Sequence, residues 1–327
     1  MRHLSLFSFL LALMPAAFAA STAAQDAVKG YPDRPIRMVV PNAPGSSVDT
    51  LSRIVGIGLA QVIGQQIVID NRAGAGGVIG MEIAKSANPD GYTMIAATTA
   101  ATTIARLLQK KPTFDPVKDY DYVVQFAETP NLLVVNPSLP IKTVKELIDY
   151  ANSHKGKFNM ASAGAGSQSH LSGAYFQQVA HIDSLHVPYK GGGASVASVI
   201  AGESHWTLTP AAAVMSHVGS GRLRALGHSL PKRTPLLGNI PAIAETIPGF
   251  DYSGWQGFLM PKGTPKAITD KLREAVIKTT ELPDVRKQLA AQGTEIVIRG
   301  PADFRKVVDE SGVKNAAVVK AIGLTAN

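Results

Sequence analysis

The chain has 327 residues, of which 45% are hydrophobic and 17% charged, with a formal net charge of +8 and no cysteine. That length suits two domains of ordinary size, and the lack of cysteine excludes disulfides, thiolate metal ligands, a cysteine nucleophile and a lipid-bearing cysteine. The positive charge is scattered and aromatics are only 6%, which favours general attraction to anions and argues against a nucleic-acid surface.

Arg2 and His3 precede the apolar run Leu4 to Leu13, then come Pro15 and Ala16-Ala17-Phe18-Ala19-Ala20. This is the charged, apolar and small-residue order of a secretory signal, and the run is too short to span a bilayer. Cleavage is expected after Ala19, with residue 24 as the alternative, which predicts a soluble exported protein.

Ile36 to Val40 is a short apolar run that reads as a buried strand. It stops at Pro41-Asn42-Ala43-Pro44-Gly45-Ser46-Ser47, and from Thr50 the apolar positions follow helical spacing. Backbone N–H groups at such a helix start lack intrahelical partners and the helix dipole is positive there, so the loop suits a small anion. Asn42, Ser46 and Ser47 are candidate contacts, and Asp49 competes for the same donors as a possible N-cap.

Gln66 to Ile69 is a second strand, followed by the glycine run Gly74-Ala75-Gly76-Gly77 and a helix from Val78 to Ala87. A dinucleotide loop would need glycines at its first, third and sixth positions, but counting from Gly74 the sixth is Ile79. The glycines therefore read as tight packing of a loop against a helix. Tyr92 to Ala97 is a third strand, which delivers Thr98 and Thr99 to the next helix start, as caps or ligand contacts.

Asp121 to Ala127 and Leu132 to Val135 are strands joined by Glu128-Thr129-Pro130-Asn131, a plausible crossover between domains. Thr143 and Glu146 form a capping box for the following helix. The strand Asn159 to Ser162 leads into a second small-residue loop with Gly166, Ser167, Gln168 and His170. Leu185 to Tyr189 leads to Lys190 and Gly191, and Trp206 to Thr209 leads to Pro210 and Ala211. Strand, small-residue loop and helix thus repeat three times, the pattern of a parallel sheet with ligand-facing loops at one edge. Ser253 to Leu259 is the expected return crossover, and the helices and strand after it are expected to complete the first domain.

With Tyr31-Pro32-Asp33-Arg34-Pro35-Ile36, the Pro41 to Asp49 loop, Asn71 to Gly77, Pro89-Asp90-Gly91-Tyr92-Thr93, Gly166 to Leu171, Val187 to Gly191 and Trp255-Gln256-Gly257 all in this order, the chain resembles the periplasmic solute-binding receptors of the tripartite tricarboxylate transporter family, often called Bug receptors. The resemblance implies an α/β two-domain clamshell of the type II periplasmic binding class, each domain a mostly parallel sheet flanked by helices, with two crossover strands as hinge. Residues 28–128 with 253–327 would form domain 1 and residues 129–252 domain 2. It also implies capture of a small organic acid and its delivery to cognate inner-membrane permease subunits, by a monomer without cofactor, metal or catalytic residue. Ser46, Ser47 and Asp49 match the family's first loop, and Gly166, Ser167, Gln168 and His170 the second. This chain departs from the family with Asn42 where an aromatic is usual, Ala43 for a proline, Gly45-Ser46 for Gly-Gly and His205 for a frequent aspartate.

The loops are rich in N–H groups and hydroxyls, while only Lys190 adds a nearby cation, so charge on a solute would be met mainly by peptide dipoles. His170 is expected to support its loop and to touch ligand indirectly, and Trp255 to serve the hinge or core. Rival readings are weaker. No Gly-x-Ser-x-Gly elbow marks a hydrolase, no histidine pair has metal-ligand spacing, and Ser311-Gly312-Val313-Lys314 lies in a predicted terminal helix. A ligand sensor for a membrane kinase would use the same clamshell and is the alternative role.

Overall fold

The computed structural model describes residues 30–324. The expected signal segment, both cleavage positions, residues 28–29 of the first domain and residues 325–327 lie outside the described residues.

Two sheets organise the molecule. The first contains six strands in the order β11-β4-β10-β3-β1-β2: β1 Ile36–Val40, β2 Ile67–Asn71, β3 Thr93–Thr98, β4 Tyr120–Thr129, β10 Gly254–Pro261 and β11 Glu295–Arg299. The second has the order β7-β6-β8-β5-β9: β5 Asn131–Val135, β6 Asn159–Ser162, β7 Leu185–Pro188, β8 Trp206–Pro210 and β9 Arg224–His228. The helices are α1 Ser47–Ile63, α2 Val78–Lys85, α3 Ala105–Leu107, α4 Val144–Ser153, α5 Gln168–Ala180, α6 Gly192–Ala201, α7 Met215–Gly219, α8 Lys266–Glu281, α9 Pro283–Ala291 and α10 Pro301–Ala321. Among the described residues no helix is long and apolar enough to cross a membrane.

Strand periodicity explains why each sheet carries two cores. Successive side chains point to opposite faces, so Met38 and Val40 join the cluster beneath α1, α8 and α9, while Val39 joins the one that holds Met81, Trp255 and Phe304. In the second sheet Leu133 and Val135 face one cluster and Leu132 and Val134 the other. Burial on both faces is why these strands are continuous apolar runs without alternation.

The sheets are mixed: most strands of each run one way, as expected, and the strands that return from the cleft run against them. β1 pairs in parallel with β2 and β3, and β6 with β7 and β8, but β10 is antiparallel to β3 and β4, and β5 to β8 and β9. The crossovers require it. β1, β2, β3, β6, β7 and β8 all end at the cleft, whereas β5 and β10 enter their sheets from the cleft and must run the opposite way. Pro130 separates β4 from β5, and β10 makes the return, so two connections form the hinge of a clamshell.

α10 adds a third link. Its Phe304 and Val308 lie in the first sheet's core, and its Val318 and Val319 lie in the second's. Between these ends Asn315 accepts from Tyr252 Oη and donates to Thr103 Oγ1 at 2.9 Å, and Ser311 Oγ accepts from Trp255 Nε1 at 2.9 Å.

Candidate functional site

Between the lobes lies a cleft of about 1440 Å³ lined by the loops that follow β1, β2 and β3 on one side and β6, β7 and β8 on the other. Two of these loops have the same construction. In the first, Ser46 is the N-cap of α1 and its Oγ accepts from Asp49 N at 3.3 Å, while Asp49 Oδ2 reaches back to Gly45 N at 2.8 Å. In the second, Ser167 caps α5 by accepting from His170 N at 3.2 Å, while His170 Nδ1 accepts from Gly166 N at 3.0 Å. Gly45 and Gly166 have φ of 76° and 74°, left-handed backbone that a glycine adopts without steric cost. Each motif is a reciprocal cap that occupies two donors and leaves the first helical amides, those of Ser47 and Val48 and of Gln168 and Ser169, without an intrahelical carbonyl. The start of α6 adds Gly192, Gly193 and Ala194, since Ser195 N is the first to bond back, to Gly191 O.

The third-position residues differ in charge. Asp49 also accepts from Arg53, at 3.0 Å from Nε, and from Asn71 Nδ2 at 2.9 Å. Burial opposes its ionisation, but the bonds from Arg53, the Gly45 amide and Asn71 outweigh burial and hold the carboxyl below its usual range. His170 stacks on His186 with ring centroids 3.8 Å apart, and His186 Nε2 lies 2.6 Å from Ser162 Oγ. Burial, with the neighbouring His186, pushes the His170 pKa from 6.5 down to about 4. Its ring is therefore neutral near pH 7, and because Nδ1 accepts, the proton sits on Nε2.

Of the residues singled out from sequence, Asn42, Ser46, Ser47, Thr98, Thr99, Ser167, Gln168, Lys190, Gly191 and Pro210 line the cleft. Asp49, Gly166, His170 and Ala211 do not. Asp49 and His170 are turned into their own loops, and Gly166 faces Leu108, whose Cδ1 would lie 2.1 Å from an added Cβ. Ala211 is buried, with its amide on Pro130 O at 2.8 Å. Thr98 Oγ1 accepts from Ala101 N at 3.2 Å within the third loop, and Thr99 Oγ1 from Trp255 N at 3.0 Å, which ties that loop to the hinge strand while both threonines line the cleft. Both side-chain amide atoms of Gln168 are buried without a partner.

The glycines after β2 pack tightly, since a Cβ at Gly77 would lie 2.6 Å from Ala101 Cβ and one at Gly80 in the following helix 2.8 Å from Pro41 Cα, but Gly74, Gly76 and Gly77 also line the cleft, a role their sequence spacing did not suggest. Trp255 is buried in the core and also lines the cleft. Sequence reasoning missed Arg222, Gln256 and Thr129. Arg222 reads from sequence as the first residue of a strand, but it precedes β9 and lines the cleft, where its Nε donates to Ser220 Oγ at 3.2 Å. Among the described residues neither Arg222 nor Lys190 has a carboxylate partner, and no Asp or Glu lines the cleft. Nor do the described residues contain a group of three or more potential metal ligands among His, Asp and Glu.

Comparison with known proteins gives a consistent picture. Residues 51–324 match the model of the tripartite tricarboxylate transporter family receptor. Protein BugT of Bordetella pertussis is 32% identical over 306 residues, covering 93% of this chain and 94% of BugT. Among solved structures, R. palustris Rpa4515 with adipate superposes with a TM-score of 0.86 at 30% identity, covering 91% of this chain and all of that one. MatC of Rhodopseudomonas palustris with bound malate gives a TM-score of 0.81 at 30% identity, covering 88% of this chain and all of MatC.

Proposed function

We propose that this chain, which belongs to the tripartite tricarboxylate transporter family of periplasmic solute-binding receptors and not to a family of enzymes, captures a small organic acid in its cleft and delivers it to a cognate inner-membrane permease. The observation that carries this reading is the make-up of the cleft among the described residues: two cations without carboxylate partners, three helix starts with uncommitted amides, and no acidic side chain. Such a surface stabilises an anion and repels nothing on it. Each charge-assisted bond contributes on the order of 1.5–3 kcal/mol, and the binding of adipate and malate by related receptors agrees with a carboxylate as the anion.

In this reading residues 28–128 with 253–327 move as one lobe against residues 129–252, and the mature, soluble form acts in the periplasm as a monomer after removal of residues 1–19. Ser46, Ser47, Thr98, Thr99, Ser167, Gln168, Lys190, Gly191, Asn42 and Pro210 meet the solute, while Asp49, Gly166, His170 and Ala211 hold the surfaces that do so. Closure follows because an acid touching both lobes stabilises the closed state more than the open one.

A thermal-shift screen of about a hundred mono-, di- and aromatic carboxylates tests the ligand class. A true ligand at a hundred times its dissociation constant stabilises the fold by about 2.7 kcal/mol. A panel in which only sugars or cations shift the transition would sink the reading. Loss of growth on the identified acid after deletion of the gene, with the permease intact, tests delivery.

A further inference from the structure

The two faces of the cleft differ in charge although their helix starts are built alike. Both charged side chains that line it, Lys190 after β7 and Arg222 before β9, belong to the lobe of the five-stranded sheet. Among the described residues the six-stranded lobe contributes no charged lining residue. Behind its first loop lies the ion pair Asp49–Arg53, with Arg53 Nη2 2.9 Å from Asp49 Oδ1, a carboxylate already neutralised by its own guanidinium. At the matching position of the other lobe stands His170, an imidazole that accepts from Gly166 N through Nδ1. One lobe therefore presents positive charge, the other only dipoles.

These two kinds of donor act over different distances. A net charge is felt to roughly a Debye length, about 8 Å at physiological ionic strength, whereas a hydroxyl or amide acts at hydrogen-bond reach. We infer that an anionic solute docks first on the five-stranded lobe, drawn in by Lys190 and Arg222, and that the six-stranded lobe closes over it afterwards through uncharged donors. Lys190 and Arg222 thus govern the association rate, and the amides and hydroxyls of the opposing loop govern residence time. Arg222 is suited to this because Ser220 Oγ orients its guanidinium through Nε and leaves the remaining N–H groups without a partner among the described residues. His217 beside it adds no charge, since burial and Arg222 both lower its pKa.

The inference rests on the carboxylate reading above, and its test separates the two. Trp255 lines the cleft and provides a fluorescence signal for stopped-flow binding of adipate, or of whichever panel acid shifts the melting transition most. Association and dissociation rates are measured at about 20 mM and about 500 mM salt for the wild type, Arg222→Gln, Lys190→Gln, Arg222→Lys and Ser47→Ala. Each charge-removing variant is expected to lose roughly three-fold or more in association rate at low salt. Arg222→Lys restores most of it, and the differences close at high salt. Ser47→Ala raises the dissociation rate with little change in association. A wild-type association rate indifferent to salt, or Arg222→Gln and Lys190→Gln variants that associate as fast as wild type, overturns this order of events alone. A panel with no responding acid overturns the carboxylate reading and the inference with it.

Discussion

Asp49 and His170 perform the same backbone task three residues into a helix, yet one is an ionised carboxylate and the other a neutral ring. For His170 the consequence is a pH dependence of stability. Its folded pKa, about 4, lies below the ordinary 6.5, so between these values the unfolded chain binds more protons than the native one. The stabilisation is complete above pH 6.5 and is lost as pH falls through 4, a change of up to about 3 kcal/mol. Protonation would also fill the Nδ1 lone pair that accepts from Gly166 N. In His170→Asn the side-chain oxygen can take over that bond without titrating. Chemical denaturation between pH 7.5 and pH 4.5 should show wild type losing stability toward the acid end and the Asn variant following a flatter curve. Parallel curves would refute the assignment.

At the scale of the element, the two serine caps set how α1 and α5 begin. Ser46→Ala and Ser167→Ala each remove the acceptor of one amide and should cost about 1 kcal/mol, or roughly 2–4 °C in melting temperature for lobes of this size. Both variants leave the first helical amides in place, so binding is weakened less than it would be by a proline at Ser47. Equal melting points for wild type and both variants would show the caps to be idle. The same elements show what is legible from sequence. The boundaries of β1, β6 and the helix after Thr143 follow from apolar periodicity, glycine, and the Thr143 to Glu146 box, although Glu146 Oε2 accepts from Lys142 N and not from the cap's own amide. The Thr98 to Thr103 stretch was not legible in the same way. It forms a π-helical turn, Ala100–Ile104, in which Thr103 Oγ1 donates to Thr99 O at 2.6 Å, and that distortion depends on contacts with α10 and β10 far along the chain.

For the whole molecule, closure depends on how near the lobes can come. Gly293, in the turn between α9 and β11, faces the opposite lobe, and an added Cβ would lie 2.9 Å from Leu237, 3.0 Å from Ala211 and 3.2 Å from Met215. Gly293 has a φ of 64°, which asparagine tolerates and a β-branched residue does not, so Gly293→Asn places bulk between the lobes, away from the helix starts that bind the solute, without the backbone strain that would weaken every state alike. Overpacking of this kind costs about 1–3 kcal/mol. Because the cost falls mainly on the closed state, affinity should drop roughly 5- to 100-fold. Calorimetry checks the affinity, and small-angle scattering checks that the ligand-bound variant is more extended than the wild type. Unchanged affinity would mean that the lobes do not tighten at this contact.

The amino-acid sequence alone determined the family, the clamshell and the loops that face the cleft, because these rest on local signals: apolar runs that become strands, glycine and serine where a helix begins, and an ordered set of motifs. Only the tertiary structure decided that Asp49 and His170 brace their loops, that the sheets are mixed, that Ala211 is buried, and that Arg222 reaches the cleft. Each of these depends on residues distant in the chain, and on which way a strand must run once it has crossed from one lobe to the other. Peptide periodicity fixes the parts one by one, whereas the direction of a side chain and the balance of charge across a cleft exist only after the parts have met.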